Sequence, residues 1–331
     1  MPIIILAIES SCDDTSASVI IDGQVCSNII ASQNIHQLYG GVVPELASRD
    51  HEKNIIPVVD LALKQANIKT EQLSAIAFTA GPGLIGSLLV GVTFAKGLAL
   101  SHQIPLIEVN HLDAHIMAHL IDDPKPIFPF LCLLISGGHT QIVLVKEPLV
   151  FEKLGETSDD AAGEAFDKTA KLLGLEYPGG PLIDKYAKLG EVIYKFPIPS
   201  APGFNFSFSG FKTSVLYFLQ KETRLNPSFI EHNLNNICAS IQHTIIEIVF
   251  QKSIAAIKQT GVKSIAIAGG VASNSGVRHK FTEYAKESGI DVFIPQFQYC
   301  TDNAAMIAIT ANYLYLKESF SDHSVVPFAK G

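Results

Sequence analysis

Residues 130–145 read Phe-Leu-Cys-Leu-Leu-Ile-Ser-Gly-Gly-His-Thr-Gln-Ile-Val-Leu-Val. Phe130 to Ile135 is a continuous apolar run, Ser136 to Thr140 is a polar turn with two glycines, and Ile142 to Val145 is apolar again. Short apolar runs joined by such a turn predict two buried strands in a hairpin. The chain opens with a similar unit. Ile3 to Ile8 is apolar, Glu9 to Thr15 is a polar turn, 17–21 is apolar, and Asp22-Gly23 makes the next turn. Two such openings, roughly half a chain apart, predict an internal duplication.

Outward from the hairpins, the pattern alternates. Helical periodicity marks 51–66, 84–101, 160–173, 234–258 and 302–317, whereas Ala75 to Thr79, Leu106 to Val109 and Ser264 to Ala268 read as strands. This alternation predicts α/β architecture, a duplicated pair of lobes with a cleft between them. Residues 196–210 hold three Pro and two Gly, so this stretch is expected to be an irregular insertion.

The chain has 331 residues, which at about 150 per domain suggests two domains. Apolar residues are 47% and charged residues 17%, which excludes a disordered chain. The 24 Lys+Arg against 32 Asp+Glu give a net charge of −8, which argues against a free-standing nucleic-acid binder. It leaves room for one basic face or a basic partner. The five cysteines, at 12, 26, 132, 238 and 300, are scattered and odd in number, so a disulfide framework is not expected and a reducing compartment fits. No signal or transit peptide pattern is read at the N-terminus. Leu84 to Leu100 is apolar but contains Lys96 and three Gly, and it falls short of the roughly 20 residues of a membrane span. It is expected to be a core helix of a soluble, cytoplasmic protein without membrane contact.

Several motifs carry chemistry. His111 and His115 lie four apart in a helix-like run, so both imidazoles can reach one ion, and His119 continues the stripe. The alternative is a partly exposed polar face. A zinc protease would need Glu after the first His, and here Leu112 stands there. Gly81-Pro82-Gly83-Leu84-Ile85-Gly86 matches a dinucleotide-binding pattern between a predicted strand and helix, although close packing alone explains such glycines. Ser136-Gly137-Gly138-His139-Thr140 and Gly269-Gly270-Val271-Ala272-Ser273-Asn274 are turns whose backbone N–H groups can approach phosphate. With the acidic turn at Glu9, Asp13 and Asp14, they favour a nucleotide cleft. Asp302 or Thr301 is expected to cap the last helix, and Asp302 can also serve as a metal ligand. Asp167 reads as a solvated helix residue paired with Lys168 or Lys171.

Taken together, these motifs resemble the TsaD family of tRNA adenosine threonylcarbamoyltransferases, nearly end to end. Ile8-Glu9-Ser10-Ser11-Cys12-Asp13-Asp14-Thr15 is similar to the family's opening I-E-T-S-C-D-E-T, with two conservative changes. Residues 40–49, Asn110-His111-x3-His115, Ser136–Thr140, Gly179-Gly180-Pro181-Leu182-Ile183-Asp184, residues 206–213, Gly269–Asn274 and Cys300-Thr301-Asp302-Asn303-Ala304-Ala305 complete the match.

The resemblance implies the two-lobed, duplicated actin/Hsp70/sugar-kinase fold with a nucleotide cleft. Its lobes would be 1–127 plus 310–331 and 128–309, the latter with the insertion near 196–213. It implies metal ligands at His111, His115 and Asp302, a set that suits iron(II), with zinc as the other candidate. Substrate contacts carry over to Leu134, Ile135, Ser136, Gly137, Gly138, Asp167, Gly180, Asp184 and Asn274. Glu9, Asp13 and His139 are the acid–base candidates. Archaeal and eukaryotic relatives place a Tyr ligand just before the Ser-Gly-Gly turn. Leu134 stands there instead, so an oxygen from substrate, water or Ser136 would complete the shell. The implied donor is threonylcarbamoyl-AMP made by a TsaC-type synthase, with ATP as the other adenine nucleotide for the cleft. The acceptor is adenosine 37 of tRNA. The implied partners are a TsaB-like paralogue and a TsaE-like ATPase, with a homodimer as the alternative. Another enzyme of this fold, or a non-catalytic subunit, stays open on the motifs alone.

Overall fold

A computed structural model describes residues 1–330 as two compact units. The first comprises Met1–Lys125 and the segment from Pro295 onward, and the second Pro126–Ile294.

The first unit opens with β1 (Ile4–Glu9), β2 (Asp14–Ile21) and β3 (Gln24–Ser32). Then come α1 (Pro44–Ala66), β4 (Ala75–Gly81), α2 (Ile85–His102), β5 (Leu106–Asn110) and α3 (His111–Met117). The sheet order is β3-β2-β1-β4-β5. β1 pairs antiparallel with β2 and parallel with β4. β1 is buried along its whole length, as a continuous apolar run in the middle of a covered sheet should be. Side chains alternate across a strand, so Ile4, Leu6 and Ile8 share one face. They cluster with Ile55, Val58, Val59 and Ala62 of α1 and with Val92, Ala95 and Ala99 of α2. α1 starts at Pro44, seven residues before the periodicity suggests, because Pro is well tolerated in a helix's first turn. α2 is the one described helix long and apolar enough to cross a membrane, and its Val92–Ala95–Ala99 face is packed in this core.

The second unit holds β6 (Phe130–Ile135), β7 (Thr140–Glu147), β8 (Val150–Glu156), α4 (Ala162–Leu172) and α5 (Gly179–Ala187). It continues with α6 (Ser209–Leu225), α7 (Phe229–Thr260), β9 (Ser264–Ala268), α8 (Ser275–Ser288) and β10 (Asp291–Phe293). Its sheet order is β10-β9-β6-β7-β8. β6 pairs antiparallel with β7 and parallel with β9. β6 to β10 thus repeat the order and directions of β1 to β5, which establishes the duplication that the two hairpins predict. Between α5 and α6 the chain runs without a regular helix or strand from Glu191 to Phe208, touching β-structure only where Phe206 bridges Thr157. That stretch is anchored by Phe206 and Phe208, both fully buried. The chain returns to the first unit with α9 (Ala304–Leu316), packed on β1 and β2.

Candidate metal centre and glycine turns

β5 delivers the chain to Asn110, whose Oδ1 accepts the N–H groups of Leu112 (2.8 Å) and Asp113 (3.2 Å). This cap starts α3 immediately, so His111 and His115 stand one turn apart on one face. Their rings lie 4.7 Å apart and nearly perpendicular. Asp302 joins them from the turn before α9. The cap of α9 is neither Asp302 nor Thr301, contrary to the sequence expectation. Asn303 Oδ1 accepts the Met306 N–H at 3.0 Å. The Ala304 and Ala305 N–H groups donate to Ser16 Oγ (2.8 Å) and Asn28 Oδ1 (3.1 Å), fixing the helix start to β2 and β3. Asp302 is thereby free to face the histidines. Its Oδ1 lies 3.2 Å from His115 Nε2 and 3.4 Å from His111 Nε2. One ligand atom from each of the three residues lies within 4.8 Å of the others. His119 is buried in the short 3-10 turn Ala118–Leu120 beyond α3, outside this trio.

Glu9, at the end of β1, is fully buried behind His111. Its Oε1 accepts the Ser11 N–H, and its Oε2 accepts the Thr79 hydroxyl at 2.6 Å. Oε2 also lies 3.1 Å from His111 Nδ1. Burial alone would strip His111 of its proton, but the charges of Asp302 and Glu9 prevail and raise its pKa well above the ordinary value. Burial likewise opposes ionisation of Asp302, yet His111 and His115 hold its carboxyl far below the usual range. For Glu9 the same contest, with His111 the main counterweight, ends in a lowered pKa. The pocket therefore demands positive charge. Two imidazole nitrogens and a carboxylate, backed by a second buried carboxylate, fit a divalent cation by donor type and by charge. Asp14, at the start of β2, is pushed up to about 7 by burial, aided by the charges of Asp302, Asp13 and Glu9 and opposed by a Ser32 hydrogen bond. Burial also raises the Cys12 thiol, which makes it a poor nucleophile.

The turn carrying Ser10 to Cys12 is tied down from two helices. His51 of α1 lies 3.0 Å from the Cys12 carbonyl through Nε2 and 2.8 Å from Thr15 Oγ1 through Nδ1. From the α2 side, Ser87 Oγ donates to Cys12 O at 3.0 Å and the Leu84 N–H to Ser11 O at 2.7 Å. This approach accounts for the Gly-x-Gly-x-x-Gly run. A Cβ on Gly83 would lie 2.5 Å from Ser11 O, and one on Gly86 2.3 Å from Ser48 Oγ. Those glycines serve close packing.

In the second unit, Leu134 and Ile135 end β6 and are fully buried. The turn closes on itself. Ser136 N–H donates to His139 O (2.8 Å) and His139 N–H to Ser136 Oγ (3.1 Å). A Cβ on Gly137 or Gly138 would meet nothing within 4 Å, so this turn presents open backbone. Gly269 has φ +87°, and a Cβ there would lie 2.5 Å from Ile135 O, so β9 turns closely beside β6. Asp167 is not a solvated partner of Lys168 or Lys171. Its Oδ1 accepts the N–H groups of Gly179 (2.8 Å) and Gly180 (3.2 Å) at the start of α5, while Lys168 pairs with Asp160 and Glu164. Burial raises the Asp167 pKa against those two hydrogen bonds. Asp184 Oδ1 accepts the Ser275 hydroxyl at 2.6 Å. Asn274 caps α8 through Val277 N–H (3.1 Å), and its Nδ2 donates to Gln242 Oε1 (2.7 Å).

Two solved structures that resemble this chain are distant from it in sequence. Component A of (R)-2-hydroxyglutaryl-CoA dehydratase from Acidaminococcus fermentans aligns with TM-score 0.57 and 19% identity, covering 95% of this chain and 98% of that one. HypF from T. kodakarensis aligns with TM-score 0.64 and 14% identity, covering 98% of this chain and 50% of that one. With the repeated sheet order, they show the duplicated actin/Hsp70/sugar-kinase fold. Sequence relatives are much nearer. The tRNA N6-adenosine threonylcarbamoyltransferase of Christiangramia forsetii is 59% identical over 325 residues, 97% of this chain and 96% of that protein. The Cytophaga hutchinsonii enzyme of the same name is 55% identical over 328 residues, 99% of this chain and 96% of that protein. The sequence profile of TsaD, tRNA N6-adenosine threonylcarbamoyltransferase, matches residues 24–309. By that profile and those relatives, the chain belongs to the TsaD family.

Proposed function

We propose that this chain transfers the threonylcarbamoyl group from threonylcarbamoyl-AMP to N6 of adenosine 37 in tRNAs that read codons beginning with A. The products are threonylcarbamoyladenosine and AMP. The observation that carries this reading is the convergence of His111, His115 and Asp302 in a chain so similar to transferases of that name.

The reaction is an acyl transfer. N6 attacks the carbamoyl carbon, a C–N bond forms, the bond from that carbon to the phosphate oxygen breaks, and AMP leaves with the electron pair. N6 gives up one proton. His139, half-buried in the open turn, and Asp13, half-buried beside Asp14, are the side chains assigned to carry it. Glu9 is left out of that role because Ser11, Thr79 and His111 already occupy its oxygens. His111, His115 and Asp302 would hold one divalent metal, iron(II) by their two-nitrogen, one-carboxylate set, and elemental analysis distinguishes it from zinc. A bound divalent ion supplies Lewis-acid polarisation of donor oxygens.

In the second unit, the open backbone of Gly137 and Gly138, beside Ser136, whose N–H holds the turn closed on His139 O, is assigned to the adenylate phosphate. Leu134 and Ile135 form the buried floor from which that turn rises. Gly180 lines the adenosine. Asp167 and Asn274, whose Oδ1 atoms accept N–H groups at helix starts, set the positions of α5 and α8. Asp184 keeps a second oxygen towards Lys188 and is assigned to nucleoside hydroxyls.

A net charge of −8 disfavours tRNA capture by the chain alone, so partners are part of the proposal. These are a TsaB-like paralogue and a TsaE-like ATPase, with the donor supplied by a TsaC-type synthase, all in the cytoplasm. The outer faces of α1 and α2, which pack on each other, expose Ile56, Leu61, Leu89 and Leu100 and offer the paralogue an apolar helical surface. A homodimer through that surface is the competing outcome.

The test is mass spectrometry of nucleosides from unmodified tRNA incubated with threonylcarbamoyl-AMP and this chain, with and without those partners. Threonylcarbamoyladenosine appearing only when this chain is present supports the reading. No product in any combination, with the fold intact, would move the assignment to another acceptor.

A further inference from the structure

We propose that Glu9 is a positioning residue that holds His111 as the Nδ1–H tautomer, so that its Nε2 lone pair is aimed at the point shared with His115 and Asp302. This rests on the reading of that trio as a metal centre.

The two ring nitrogens of His111 have different surroundings. Nε2 faces Asp302 Oδ1 at 3.4 Å. Nδ1 faces Glu9 Oε2 at 3.1 Å and Ser11 Oγ at 3.2 Å. An ionised carboxylate can only accept hydrogen bonds. Glu9 Oε1 is engaged by the Ser11 N–H and Oε2 by the Thr79 hydroxyl, so both donors already point at the carboxylate. A proton on Nδ1 completes Oε2. A proton on Nε2 alone would instead set the Nδ1 lone pair against Oε2, in a site where Glu9 is fully buried and no solvent relieves the repulsion. A carboxylate behind a ligating imidazole both orients the ring and raises its basicity.

The geometry also singles out the informative substitution. A glutamine has one accepting oxygen and one donating NH2. With its oxygen towards His111 and Thr79, its NH2 opposes the Ser11 N–H. With its oxygen towards Ser11, its NH2 donates to Nδ1 and selects the opposite tautomer. E9Q therefore keeps the volume of Glu9 but fails at least one of its three partners in either orientation.

The experiment measures Zn2+ affinity by competition with a chromophoric chelator for the wild-type chain, E9Q and H111A. It is paired with 15N-histidine NMR of the wild-type zinc form and with urea unfolding of each chain. We expect one Zn2+ per wild-type chain, loss of that binding in H111A, and affinity lowered about 10- to 100-fold in E9Q. We also expect a slowly exchanging Nδ1–H on His111 with zinc on Nε2. A folded E9Q with wild-type affinity would overturn the role of Glu9, as would zinc on Nδ1. The NMR result decides the matter even where E9Q does not fold. Zinc binding absent from wild type, or unchanged in H111A, would instead overturn the metal centre itself.

Discussion

Asp302 Oδ1 lies 3.2 Å from His115 Nε2 across 187 residues of sequence, and the residue that makes this contact possible is Asn303. Capping by Asn303 relieves Asp302 of the α9 N-terminus. Asn303→Ala should therefore act twice. Stability should fall by about 1 kcal/mol, the usual cost of a lost cap. Metal affinity should fall as well, because the turn holding Asp302 loses its anchor. Urea unfolding and metal competition on the same preparations measure both effects, and a stability loss with unchanged affinity would separate the cap from the site.

Asp14 provides a pH signature in the metal-free chain. Its carboxyl is ordinarily ionised above 3.8, but in the fold it titrates at about 7. The folded chain thus keeps a proton that the unfolded chain releases. Its contribution to stability is complete below pH 3.8 and is lost as the pH rises through 7. Asp14→Asn imitates the protonated form. The variant should match wild type near pH 4 and exceed it at pH 8 by about 1–2 kcal/mol after allowance for screening. Denaturant midpoints at the two pH values check this, and a bound divalent cation should shrink the difference.

His51 has the opposite sign. Burial lowers its pKa below 6.5, so the unfolded chain takes up a proton that the fold refuses. The stability it lends is present above pH 6.5 and declines as the pH falls. His51→Leu should cost about 1–3 kcal/mol at pH 7.5, since Thr15 and the Cys12 carbonyl each lose a partner. It should also flatten the stability loss between pH 7.5 and 5.5. An equally steep loss in the variant would contradict the assignment.

Two glycines near the same turn should behave differently. Gly269→Ala forces a side chain into φ +87° and against the Ile135 carbonyl, and the backbone conformation alone should cost about 1–3 kcal/mol. Gly137→Ala meets nothing and should change stability by no more than about 0.5 kcal/mol. If Gly137 approaches the donor phosphate as proposed, that variant should still raise the KM for threonylcarbamoyl-AMP. Thermal melts with transfer kinetics resolve the pair.

The sequence discloses what local pattern controls. Unbroken apolar runs such as Ile4 to Ile8 and Phe130 to Ile135 mark central strands, and the four-residue spacing of His111 and His115 marks a shared helix face. Much else depends on contacts made at long range. β3 and β8 carry polar and charged residues because they lie at sheet edges, so no apolar run betrays them. α6 begins in Ser-Gly-Phe directly after a proline-rich stretch, and its start is fixed by Asp159, which accepts the N–H groups of Phe208 and Ser209 from 49 and 50 residues away. The cap at Asn303 and the seat of Glu9 behind His111 are equally non-local. The Gly-x-Gly-x-x-Gly run misleads because close packing against Ser11 and Ser48 demands the same residue that phosphate binding does.

The most direct test joins metal to chemistry in one preparation. A His111→Ala, His115→Ala double variant, shown to be folded by its unfolding curve, is assayed for metal content and for threonylcarbamoyladenosine formed on unmodified tRNA with the partner proteins. We predict that metal and product are lost together, with both restored in the wild-type chain. A folded, metal-free double variant that transfers at the wild-type rate would contradict the account.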